Sequence, residues 1–203
     1  MGRIAAVFRG VALVVAVALA GAVQGCGSER TGGPRGAPQE VVDAAPDRTV
    51  EAGGARFEAG APDARRTGEI DFGAPTVASG DEATPYPELN DPRSVVDLVR
   101  GAIAAESYGG AAVRGASTFR YEAVVNVERA VAETPADRRP AMERFAAALG
   151  SPAFYVDLWI DDEGRLRRVQ IPLERTTQRP HARSREMPRF LTVDFFDFAG
   201  PAR

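Results

Sequence analysis

Lysine is absent from this chain, so all 25 of its Lys+Arg cations are arginines. That absence removes Schiff-base chemistry and the phosphate-binding lysine of a Walker-type loop. There is one cysteine, Cys26, and one histidine, His181. A single thiol makes no intramolecular disulfide, and without a His/Cys cluster there is no set of zinc ligands. His181 has no Ser, Cys or carboxylate at a catalytic spacing. The acidic turn "DDEG", Asp161 to Gly164, lacks the alternate ligands and closing Glu of a calcium loop and reads as a hairpin turn with Gly164 at positive φ. Asp161 and Asp162 do not make an acid/base pair either, because neighbouring strand residues point apart. The net charge of −3 leaves no basic excess for general nucleic-acid binding. The expectation is a non-enzyme with no catalytic residues, no metal and no cofactor.

What the sequence does have begins at its N-terminus. Arg3 and Arg9 precede "GVALVVAVALAGAV", Gly10 to Val23, a charge-free run of 14 residues. This is the basic, apolar and small-residue order of a secretory signal, and it is short of the roughly 20 residues of a spanning helix. The run ends in "VQGC", which resembles a bacterial lipobox through Val23, Gly25 and Cys26, with Gln24 where a small residue is usual. The resemblance implies cleavage before Cys26 and diacylglycerol on its thiol, so residues 1–25 are expected to be a lipoprotein signal peptide. Two acyl chains hold a protein stably at a membrane. Localisation follows as the outer face of the cell membrane, by a lipid anchor. Residues 26–50, rich in Gly, Pro and charge, are expected to be a flexible tether. Residues 51–203 are then the folded domain.

Within that domain "ARFEAG" and "TGEIDFG" alternate in polarity and predict a hairpin, followed by a proline-containing loop from Gly73 to Asn90. "NDPRSVVDLVRGAIAAES", residues 90–107, predicts one helix with Asp91 as N-cap, Pro92 in its first turn, and Val95, Leu98, Val99, Ala102 and Ile103 on its apolar face. Strand alternation returns at Ser117 to Val127, a second helix is expected at residues 139–150, and a hairpin and a last strand fill residues 153–171 and 190–200. Strands and helices in blocks give an α+β class with an antiparallel sheet.

"DPRSVVDLVRGA", "VRGASTFRYEAVVNVERAV", "VDLWIDDEGRLRRV" and "LTVDFFDFAGP" resemble, in that order, segments of actinobacterial lipoproteins of the LppX/LprG type, within the LolA-like superfamily. The resemblance runs over roughly Asp91 to Pro201. It implies a curved antiparallel sheet, a half-barrel, with helices across its open face and an apolar cavity that binds or carries an acyl-chain lipid. No catalytic residues come with that fold. Only 19 residues separate Phe72 from Pro92, where such proteins have room for further strands, and this implies a smaller cavity or none.

The ligand-cavity candidates are Phe57, Ile70, Phe72, Phe119, Tyr121, Ala123, Val125, Phe154, Val156, Leu158, Val193 and Phe195, and the alternative is that they form a solid core. Trp159 falls on the opposite strand face and is expected to pack under a helix, the alternative being that it marks a contact surface. Eight arginines and two acids between Arg165 and Arg189 make a local charge of +6, readable as a surface for anionic head groups or as a solvated loop. Two functions remain open: an envelope lipoprotein that binds or carries acyl-chain lipid, or a structural or regulatory envelope lipoprotein whose partner is another protein.

Overall fold

A computed structural model describes residues 34–61, 64–74, 78–79, 91–173 and 190–199. Cys26, the leader, His181 and five of the eight clustered arginines lie outside the described residues. The chain begins with α1, Pro38–Glu51, then β1, Gly54–Ala61, β2, Ala64–Asp71, and the two-residue β3, Ala78–Ser79. Next come α2, Pro92–Val99, β4, Ala102–Val113, and β5, Ala116–Asn126. After α3, Val127–Glu133, and α4, Arg139–Leu149, the chain ends in β6, Ala153–Asp161, β7, Leu166–Pro172, and β8, Phe190–Ala199. Among the described residues no helix is long and apolar enough to cross a membrane.

The strands form one antiparallel sheet in the order β3-β2-β1-β8-β7-β6-β5-β4. It is not closed: β3 and β4 are its two edges, and the connection through α2 carries the chain from one to the other. The expected α+β class, with helices across one face of an open sheet, is the fold observed. α1 packs against β4, β5 and β7 and beside α2, while α2 in turn packs on α3 and α4.

The elements differ from those expected in three places. First, residues 38–50 are not tether but helix. Pro38 starts α1, Glu40 reaches back to accept from the Ala37 N–H at 3.1 Å, and Val41, Val42, Ala45 and Thr49 are buried along one stripe. The Thr49 hydroxyl donates to the Ala45 carbonyl at 2.7 Å and accepts from the Leu166 N–H at 2.9 Å, which pins α1 to β7. Second, the helix of residues 90–107 stops at Val99. A Cβ on Gly101 would lie 2.3 Å from the Asn126 carbonyl oxygen and 2.8 Å from the Ala130 Cβ, so only glycine fits where the chain turns from α2 into β4. The Gly101 carbonyl then accepts from Asn126 at 2.9 Å, and Ala102 and Ile103 begin a strand. Third, Val127 is not the end of a strand: Asn126 ends β5 and caps α3, its Oδ1 accepting from the Arg129 N–H at 2.8 Å.

Candidate ligand-binding site

The inner face of the sheet is assembled by register. Residues directly opposite on adjacent strands share a face, and one row crosses six strands: Ala59, Val193, Val169, Leu158, Tyr121 and Ser107. Neighbouring rows join Phe57 to Phe195, Ala123 to Val156, Val125 to Phe154 and Phe119 to Ile160. Ile70 pairs with Ala55, and Phe72, just past β2, sets its ring 6.2 Å from that of Phe195. All twelve cavity candidates therefore belong to one apolar cluster, Phe119 being partly buried at its margin. The candidate set leaves out Ile160 and Leu191, which the strand alternation places on this face, and Val169 and Ile171; the same cluster contains all four. Their alternation was readable in "LRRVQI" and "FLTVDF", and only the partner strands were unknown.

Cover over this face is uneven. Val193, Val169 and Leu158 are fully buried beneath the helices, Tyr121 is nearly so, and Ser107 is exposed. Gly110, opposite Phe119, has nothing within 4 Å of where a Cβ would stand. The inner face is thus open along β4 from Ser107 to Gly110, whereas Ala102 is buried and Ala105 packs against the core. Tyr121 stands at the rim: burial pushes its phenol up from the ordinary value, and among the described residues no hydrogen bond engages its hydroxyl. A second opening, a pocket of about 920 Å³, lies at the end of the sheet where Val50, Gly54, Ile70, Phe72 and Ala199 meet. Of the twelve candidates it touches Ile70 and Phe72. Its volume falls in the range of small-ligand sites.

The outer face is held by arginines. Asp194, nearly buried, receives Arg168 Nε at 2.6 Å and Arg114 Nε at 3.1 Å, and Arg114 also pairs with Glu58. Side-chain hydrogen bonds from Arg65 and Arg114 hold the Glu58 carboxyl below its usual value. Arg114 sits at the tip of the β4–β5 hairpin, whereas Asp194 lies on β8, with β7 and β6 between β8 and β5. Through Arg114 the tip is thus tied across the outer face to β8 and β1. Arg114 and Gly115 both have positive φ, 50° and 82°, the turn geometry that favours Asn-Gly. Arg114→Asn is therefore expected to improve the turn yet lower stability by about 1 kcal/mol through loss of the tie. Urea denaturation checks this, and a gain in stability would show the tie to be idle.

Trp159 is on this outer face, not under a helix, with Arg120 and Arg168 placed 5.6 and 5.7 Å from its ring centre. Of the eight clustered arginines, the three described ones, Arg165, Arg167 and Arg168, are each paired with a carboxylate. Arg165 and Arg167 are bound to Asp161 at 2.8 and 2.7 Å, and Arg168 is bound to Asp194. The "DDEG" turn is as expected, with Gly164 at φ 83°. Among the described residues no group of three or more His, Cys, Asp or Glu side chains could hold a metal ion.

No protein-family model matches the sequence, and no curated protein is similar to it by sequence. Solved structures similar to this fold include the Mycobacterium tuberculosis lipoprotein LppX, with 10% identity over 81% of this chain and 98% of that one and a TM-score of 0.45. They also include LprF from Mycobacterium bovis, with 11% identity over 85% of this chain and 97% of that one and a TM-score of 0.49.

Proposed function

We propose that this chain is a cell-envelope lipoprotein, anchored through Cys26, whose domain binds or carries an acyl-chain lipid between its sheet and its helices without covalent chemistry. The supporting observation is the uneven cover of the inner face. A continuous apolar row runs from β1 to β5 and ends at Tyr121, whose hydroxyl has no hydrogen-bond partner among the described residues, and at the exposed Ser107. An acyl chain laid along that row gains roughly 0.8 kcal/mol per buried methylene, and its polar end meets the two hydroxyls at the rim. Binding of this kind needs no nucleophile, base or metal.

A second reading is favoured by the tight cover elsewhere: Phe57, Val125, Leu158, Val193 and Phe195 are fully buried against other residues. On that reading the interior is solid, and the domain serves a protein partner in the envelope.

Organic extraction of the purified, membrane-derived protein followed by mass spectrometry decides between them. Lipid in stoichiometric amount is the expected result. The variant Ser107→Trp, at an exposed position on the inner side of β4, is expected to keep its melting temperature and to lose the lipid by filling the rim. A wild-type protein that is reproducibly empty overturns the carrier reading in favour of the partner-binding one.

A further inference from the structure

We propose that the β4 edge of the sheet, carrying Ile103 and Tyr108, is the surface by which the domain rests on a lipid bilayer. This rests on the anchored, lipid-binding reading above and adds where the domain meets the membrane. Among the described residues Ile103 and Tyr108 are the two large hydrophobic side chains left exposed, at 52% and 50%. Both lie on β4, at the two places where its register with β5 shifts, between Ala102 and Ala104 and between Ser107 and Gly109. Each thus stands at a bulge, between one inner-face and one outer-face position. Five residues of strand place them about 16 Å apart along a single edge.

The chemistry of the edge suits a headgroup layer. The Tyr108 ring lies over the Arg120 guanidinium at 5.4 Å, and its hydroxyl is 3.4 Å from Glu106, so it has one apolar and one polar end. Gly109 and Gly110 have open space where a Cβ would be, and a broad surface can approach the backbone there.

The path of the chain indicates a bilayer as the occupant. α1 starts at Pro38, and Gln39 in its first turn donates to the carbonyl of Ala102, the neighbour of Ile103, at 3.2 Å. Twelve residue steps separate Cys26 from Pro38, which span at most about 40 Å when fully extended. A chain held in a membrane at Cys26 therefore enters the domain beside Ile103. The exposed Ser107 is on this same β4 edge, with Tyr121 beside it on β5, so a lipid leaving the bilayer reaches the apolar row without crossing water.

The test uses full-length protein purified from membranes and reconstituted in phosphatidylcholine–phosphatidylglycerol vesicles containing a lipid with a shallow nitroxide quencher. Wild type, its Cys26 thiol acylated, is expected to take up no thiol-reactive dye. Dyes attached to Ile103→Cys and Tyr108→Cys are expected to shift to the blue and lose most of their emission. A dye on Ser117→Cys, exposed at the far end of the β4–β5 hairpin, is expected to keep its emission. A wild-type chain that labels shows that the anchor has failed, and the proposal with it. Unlabelled wild type together with dyes at 103 and 108 no more quenched than the one at 117 overturns the membrane-facing edge and leaves the anchor standing.

Discussion

Asp161→Ala is expected to lower stability by about 3 to 5 kcal/mol, because it strands two half-buried arginines and two backbone donors at once. Asp161 Oδ1 accepts from the N–H groups of Glu163 and Arg165 at 3.1 and 2.9 Å, and Oδ2 accepts from Arg165 Nε and Arg167 Nε at 2.9 and 2.7 Å. The same two guanidiniums lie 4.8 Å over the Phe198 ring, so the carboxylate also positions the packing of β8 on the turn. Burial raises the pKa of this carboxyl, but the side-chain and backbone bonds from Arg165 and those from Arg167 outweigh it, and the net direction is down. A depressed folded pKa means that the stabilisation is present above the unfolded value of about 3.9 and is lost as pH falls through the folded one. The gap between wild type and variant in urea melts should therefore be largest near neutrality and shrink below about pH 4. A gap that stays constant into acid would show that packing at the turn, and not the charge, carries the effect.

The turn that Asp161 organises was readable from sequence, and the reason separates what was legible from what was not. Strands β5 to β8 were visible because polar and apolar residues alternate with period two, and one face of each is covered. The identity of the inner face followed directly, since Tyr121, Ala123, Val156, Leu158, Val193 and Phe195 are on it by parity alone. The openings of that face were not visible. They depend on which strand ends up at the edge, and β4 was read as helix because "AIAAES" favours helix locally; a close approach of Gly101 to Asn126, some 25 residues on, overrides that preference. α1 was hidden for a compositional reason: Gly and Pro surround it, and Pro46 lies inside it. Its stripe of Val41, Val42, Ala45 and Thr49, with Pro38 and Glu40 in the first turn, was the available signal. The roles of Trp159, Arg167 and Arg168 required knowing their neighbours across β7 and β8, which no single segment records.

Asp97→Asn is expected to change stability by no more than about 1 kcal/mol near neutrality, far less than the loss of Asp161, and with the opposite response to pH. Asp97 lies on α2, almost fully buried, and pairs with Arg100 at 3.2 Å and with Arg138, the residue that caps α4, at 2.8 Å. Arg100 also reaches Asp47 of α1 at 2.8 Å, so one buried carboxylate ties together α1, α2 and α4, three of the helices that cover the sheet. Asparagine keeps the shape and removes the charge, leaving Arg138 without an anion, while its Nε is already buried without a partner. Burial pushes the Asp97 carboxyl up, and the two arginines bring it back only part of the way, despite their short distances. With the folded pKa above the unfolded value, the native state binds the proton more tightly. Wild type then gains stability from this group as pH falls from the raised folded value towards about 3.9. Asp97→Asn has no such proton to bind, so its deficit should widen through that window, where that of Asp161→Ala narrows. Parallel urea melts of the two variants at neutral and acid pH measure the contrast. Deficits that move in the same direction would mean that the arginines govern Asp97 more strongly than its burial does, and that the helix layer is held by an ordinary ion pair that acid releases.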